Sequence, residues 1–405
     1  MPLTQKQRKA AATAAAAAAT YTCTSFAAAA SAVSIATAAV AADDDLVNRN
    51  VPHKKGGRYL RGSALPDPED APWALVLKGD ERELFEFLSL PNDSFNSLVS
   101  LLSEYIASRP LRVTSGEHKI GRPRPSDMSH RKFNPKDIVA MTLKFITTTS
   151  EVKDLALLFG ACQSTYSNAI CLGMKAMVVK MSDDERSRVY WDRSTFNMQR
   201  CAQRTSDFDL VPNVVAMGDG IKTRSKNDED AVKQNADYTG WKEDVFRDCV
   251  FITDPFGKIV DAAVNYPGSF HDSKKALWSK IYDHIKEVPH PYRIAVDSAF
   301  SATGDLRGKV VKTKYKFGEE SSPAGRQLTH LRQPAEWANH TLTGVCRRLL
   351  LELPTDNVTR GYLLWSSIYV TNWRTNTTNR NQIKTYFDYL DQCRAAEAGA
   401  EEGGT

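Results

Sequence analysis

The chain has 405 residues, 42% of them apolar and 25% charged, which suits two or three packed domains and excludes a fibrous or wholly disordered polymer. Lys and Arg number 53 against 48 Asp and Glu, a net charge of +5, so a polyanionic partner is permitted but not demanded. The cysteines number seven, an odd count, and include no C-x-x-C pair; neither a disulfide framework nor a zinc ribbon is indicated, and scattered reduced thiols in an intracellular protein are expected.

Lys6, Arg8 and Lys9 precede an uncharged, Ala-rich tract from Ala10 to Ala42, closed by Asp43-Asp44-Asp45. The layout imitates a secretory signal, and Arg58-Tyr59-Leu60-Arg61 imitates a host-targeting tetrad. However, a signal core runs about 7–15 residues and is richer in Leu, Ile and Phe. A low-complexity start is the preferred reading, and residues 1–75 are expected to be disordered. No other stretch approaches the apolar length that a membrane span needs, so no membrane association is expected.

The first folded helix is predicted after Pro91, capped by Asp93 or Ser94, with Phe95, Leu98, Val99, Leu102, Tyr105 and Ile106 on one face. Residues 118–133, "HKIGRPRPSDMSHRKF", are too polar to pack. They read either as a solvated linker or as an arm along a phosphate backbone, with Lys119, Arg122, Arg124, Arg131 and Lys132 as DNA contacts.

Three helices are predicted next. The first covers roughly 135–148. The second is "EVKDLALLFG", ending on Gly160, and the third opens at Gln163 with Ser164 as its cap. A short helix, a Gly turn and a helix whose first turn carries Gln163, Ser164, Thr165 and Ser167 is helix-turn-helix punctuation. An ordinary three-helix packing unit has the same pattern. On the first reading those four residues contact DNA.

From about residue 210 a new register begins. Residues 213–220, 248–257, 258–268 and 292–300 are short β-rich runs. The second and third are joined by Asp254-Pro255-Phe256-Gly257 into an expected hairpin. Helices are predicted at about 271–286, 324–353 and 355–373. Interleaved strands and helices of this kind make an α/β mixed sheet.

Two of the strand runs end in an aspartate: "VVAMGD" delivers Asp219 and "RIAVD" delivers Asp297. Each could simply cap the next turn; as a pair they point to a rigid acidic edge. The helix "LRQPAEWANHTLTGVCRRLLLEL" has a core stripe of Leu331, Ala335, Ala338, Leu342, Val345 and Leu349, with Glu336 at its rim. Carboxylate oxygens in a cluster hold hard divalent cations, and paired cations activate water and stabilise a leaving oxygen in phosphodiester cleavage. Two strand-borne Asp and one helix-borne Glu suit a metal-dependent nuclease.

The runs "GDG" (218–220), "AAVNYPGSFHDS" (262–273), "VDSAF" (296–300), "RQPAEW" (332–337) and "NQI" (381–383), in this order, resemble the PIF/Harbinger-type transposases and their DDE superfamily endonuclease domain. The resemblance covers roughly residues 85–390. It departs from the family pattern at Ala338, at Gly344-Val345-Cys346-Arg347 and at Ser301. It implies a ribonuclease-H-like mixed sheet with flanking helices, preceded by an all-α helix-turn-helix region. It also implies that Asp219, Asp297 and Glu336 are a catalytic triad holding Mg²⁺ or Mn²⁺. The turn carrying His271 and Asp272 is then at the active-site periphery, where the two residues cap the following helix.

The expected domains are 1–75 disordered, 76–205 helical with the DNA-binding element, 206–392 the endonuclease, and 393–405 a disordered tail. The expected function is cleavage of DNA at transposon ends in the nucleus, with DNA as partner and a separate Myb-like protein as a further one. The alternative is a catalytically inactive, domesticated or decayed descendant that only binds DNA or protein.

Overall fold

The computed structural model describes residues 67–111, 133–240, 242–312 and 322–402. The five basic residues predicted to contact DNA between 118 and 133 lie outside the described residues.

The N-terminal region is helical. α1 (Pro72–Lys78), α2 (Glu81–Leu88) and α3 (Asn92–Ala107) are followed by α4 (Pro135–Thr147), α5 (Val152–Leu158) and α6 (Gln163–Met181). α1 corrects two expectations, since order begins before residue 75 and the helix after Pro91 is the third. Trp73 is 3% exposed. Its ring meets Phe95 and Phe159, and its indole N–H donates to Asp137 Oδ1 at 2.9 Å. α4 starts where a capping box dictates. Asn134 Oδ1 accepts from Asp137 N, and Asp137 Oδ2 accepts from Asn134 N, both at 3.0 Å. α5 and α6 meet at 91°, with Gly160 left-handed at φ 61°. Cys162, not Ser164, is the cap residue of α6.

α7 (Thr195–Arg204) leads into the sheet, made of β1 (Val214–Arg224), β2 (Tyr238–Thr239), β3 (Asp244–Thr253), β4 (Ile259–Pro267), β5 (Arg293–Val296) and β6 (Val310–Lys312). α8 (Ala231–Asp237) sits between β1 and β2. β4, β3 and β1 run antiparallel, with β3–β4 the expected hairpin; β5 and β6 add in parallel beyond β1. This is the ribonuclease-H-like order, with the longest strand central. β3 shows why it is buried on both faces. Cys249 and Phe251 join one apolar cluster, while Val250 and Ile252 join another, as a period of two requires.

The single helix expected over 271–286 is two, α9 (Asp272–Trp278) and α10 (Ile281–Lys286), separated where Lys280 adopts φ 66°. α11 (Pro323–Val345) gives way to a 3₁₀ turn at Arg347–Leu350 instead of running to 353. α12 (Asn357–Thr378) and α13 (Gln382–Glu402) follow. α13 corrects the expected tail, because residues 393–402 are helical. The "NQI" motif is structural: buried Asn381 donates to Gly257 O at 3.1 Å, fixing the start of α13 to the hairpin turn.

The helical region does not have a core of its own. One cluster joins α1–α6 to Phe251, Ile259, Leu342 and Trp373 of the sheet, α11 and α12. Asn372 locks α12 to β4, accepting from Ile259 N and donating to Ile259 O, both at 2.9 Å. The expected boundary near 205 therefore crosses a continuous apolar interior. Among the described residues, no single helix is long and apolar enough to cross a membrane.

Candidate active site

β1 and β5 are parallel neighbours in which Gly218 pairs with Val296. The next residue on each chain is acidic, so Asp219 and Asp297 leave adjacent strands at the same level. Asp297 turns immediately, its Oδ1 accepting from Ala299 N at 2.8 Å. Lys312 of β6 donates to Ser298 O and Phe300 O, fixing that turn from beneath.

α11 crosses this edge with Arg332, Glu336 and Asn339, spaced i, i+4, i+7 on one helical face. Arg332 Nη2 lies 2.7 Å from Glu336 Oε1, and its Nη1 lies 3.7 Å from Asp219 Oδ1. Asn339 Nδ2 donates to Asp219 Oδ2 at 3.0 Å. The side chain of Asp219 is only 17% exposed, against 46% for Glu336.

Burial dominates the electrostatics. Desolvation raises Asp219 from 3.8 to about 6. The Arg332 charge and the Gly220 N–H pull it down, while Asp297 and Glu336 push it up. Asp297 is raised as well, first by desolvation and then by the charge of Asp272, against the Ala299 N–H, Arg332 and Lys312. Asp297 and Glu336 thus both act on Asp219 at this sheet edge. The three predicted acids do not form a closed ligand set: among the described residues, no three acidic, His or Cys side chains are grouped tightly enough for one. The Arg332 guanidinium holds Asp219 and Glu336 instead.

The donor chemistry nevertheless fits a hard cation. Every candidate ligand is a carboxylate oxygen. Beside them, Asn339 Oδ1 is a buried oxygen with no hydrogen-bond partner. A cation accepted by this edge must first displace Arg332. Arg332→Gln should accordingly bind Mn²⁺ more tightly than the unchanged protein, by about tenfold, as read by calorimetry; equal or weaker binding would show that Arg332 supports the site instead of blocking it.

The peripheral pair separates. His271 is exposed and makes no capping hydrogen bond, contrary to expectation. Asp272 is the first residue of α9, and its carboxylate is taken by Lys275 Nζ at 2.6 Å. Gln163 and Ser164 are exposed in the first turn of α6, with Thr165 and Ser167 half-buried. Cys162 Sγ sits 3.3 Å from Ser164 Oγ and 3.0 Å from Thr165 Oγ1.

Arg332 and Asn339 were not foreseen, although their spacing from Glu336 was a usable signal once that helix had been aligned on its acidic face. Lys275 and its second partner Asp248 could not have been found from spacing, because they join β3 to α9 across the fold.

Residues 219–357 match the family model of the DDE superfamily endonuclease. No curated protein and no solved structure matches the chain.

Proposed function

We propose that the chain is a transposase-like DNA endonuclease of Harbinger type, acting in the nucleus on phosphodiester bonds at element ends. The observation that carries this reading is the pair of aspartates leaving adjacent parallel strands under a helix bearing Glu336. The family match, which begins at Asp219 and extends past Glu336, supports it.

Asp219, Asp297 and Glu336 would hold a divalent cation, Mg²⁺ or Mn²⁺, which when bound supplies water activation and stabilisation of the leaving oxygen. The chain's own contributions are separable. Ala299 N and Lys312 fix the Asp297 turn, Asn339 orients Asp219, and Arg332 balances the carboxylate charge until a cation replaces it. Incubation with DNA carrying the element ends, Mg²⁺ and a Myb-like partner should yield cut strands. Intact DNA under Mg²⁺ and Mn²⁺ alike, with or without the partner, would leave the second reading, a descendant that only binds DNA. The Arg332 contacts to Asp219 and Glu336 are the observation that favours that second reading.

DNA binding is assigned to two elements. One is the first turn of α6, with Gln163, Ser164, Thr165 and Ser167, read as a helix-turn-helix. The other is the basic segment with Lys119, Arg122, Arg124, Arg131 and Lys132. Replacing those five cations by Gln in the full chain should flatten the salt dependence of DNA affinity by about four units of log–log slope. An unchanged slope between about 50 and 200 mM salt would reduce the segment to a linker.

A further inference from the structure

The turn that ends in His271-Asp272 places a carboxylate against the site that the triad does not use. Asp272 Oδ1 and Oδ2 both lie 2.9 Å from where a Cβ on Gly220 would stand. Gly220 directly follows Asp219, so any side chain there would collide with Asp272. A carboxylate so placed, at the start of α9 and against the residue that follows Asp219, lies within reach of the acidic edge.

Lys275 holds that carboxylate. It is 1% exposed, one of the largest fully buried side chains described. A lysine is rarely buried so deeply unless its charge is paired. Its ammonium joins Asp272 Oδ1 at 2.6 Å to Asp248 Oδ2 of β3 by a second, shorter contact. Asp248 is itself 0% exposed. It also takes Lys222 Nζ of β1 at 2.8 Å, and the same ammonium donates to Gly268 O at 3.0 Å. The turn is thus held at both ends, at Gly268 by Lys222 and at Asp272 by Lys275. Gly268 could carry no side chain, since its Cβ would stand 2.5 Å from Phe246 O and 2.7 Å from Asp237 O. Asp248 and Lys222 sit on neighbouring strands in direct register, so the anchor of the clamp is the central sheet itself.

We propose that Lys275 is a positioning residue that withholds Asp272 from the cation, leaving the edge with two aspartates and Glu336 as its cation ligands. This rests on the nuclease reading of that edge. Lys275 neutralises Asp272, fixes its carboxylate toward α9 and pins the turn against β1. Removing the ammonium releases the Asp272 carboxylate next to Gly220, and the edge gains a fourth carboxylate within reach.

The test is Mn²⁺ binding to the full chain, counted by paramagnetic resonance of the free ion, with no cleavage involved. Asp272→Asn should bind Mn²⁺ within about twofold of the unchanged protein. Lys275→Met should bind it at least about fivefold more tightly, and the double variant Lys275→Met/Asp272→Asn should return to the original affinity. A merely structural lysine would not raise affinity in a manner that Asp272→Asn reverses. Because Lys275→Met leaves buried Asp248 with one partner fewer, Lys275→Met/Asp248→Leu supplies a second route. It removes the buried charges as a pair, a change that cores often tolerate, and it should show the same gain.

Loss of Mn²⁺ binding in Asp272→Asn would overturn the proposal by making Asp272 a ligand. Unchanged affinity in both Lys275 variants would overturn it by making the clamp structural only. If the unchanged protein binds no Mn²⁺, the nuclease reading falls, yet a site gained in Lys275→Met and lost in the double variant would still support the masking.

Discussion

Asp297→Asn is expected to abolish strand cleavage while leaving DNA affinity nearly unchanged. The amide keeps the size of the carboxylate, and its oxygen can still accept from Ala299 N, now at 2.8 Å from Asp297 Oδ1. The turn after β5 should therefore survive, as should its ties to Lys312. What is lost is the negative charge that a divalent cation requires. Cleavage should fall by at least about a hundredfold, the loss typical of damage to the support of a metal site. Asp272→Asn serves as control. Its carboxylate is held by Lys275, so cleavage should fall only partly. Gel assays of both variants on the same DNA decide the matter. Equal total loss in both would mean that the site uses Asp272 and that the triad is misassigned.

Asp219→Asn should stabilise the metal-free protein at pH 8 and leave it unchanged near pH 4. The folded carboxyl titrates at about 6 against 3.8 unfolded, chiefly because it is buried. Between these values the folded state holds a proton that the unfolded state has released, so stability falls as pH rises through this window. Above pH 6 the ionised folded group bears its full cost. That difference corresponds to roughly 3 kcal/mol, an upper bound; a gain of about 1–3 kcal/mol at pH 8 is the expected result. Asn removes the ionisation and keeps the shape. Urea unfolding with a chelator present, repeated from pH 4 to 8, measures the difference. Adding Mn²⁺ should reverse the ranking, since only the unchanged protein gains a ligand-linked term. A variant less stable at pH 8 without metal would show that the Arg332 contact outweighs burial.

Much of this was legible in the chain itself. The short β-rich runs located β1, β3, β4 and β5. The helix predicted over roughly 135–148 is α4, and two runs ending in aspartate singled out Asp219 and Asp297. Such features are written in adjacent residues, because strand period, helix caps and turns are local. The sequence also placed Glu336 on the rim of an apolar stripe, and Leu331, Ala335 and Ala338 of that stripe are buried.

Other features were decided only when distant segments met. That α6 and α12 share a core, with Ser366 Oγ donating to Met174 O at 3.3 Å, depends on apolar faces nearly two hundred residues apart. An apolar face specifies that it must be covered, not by what. For the same reason residues 76–205 read as a separate domain although their interior is continuous with the sheet. The guanidinium between Asp219 and Glu336, and the ammonium between Asp248 and Asp272, are the sharper cases. A charge in a sequence is by default a solvated one, and its partner is set by strand register and helix placement. Lys275 looks like one more surface lysine in "HDSKKALW" until β3 is laid beneath α9. Burial then removes water as its alternative partner, and the ammonium must take the two carboxylates it meets.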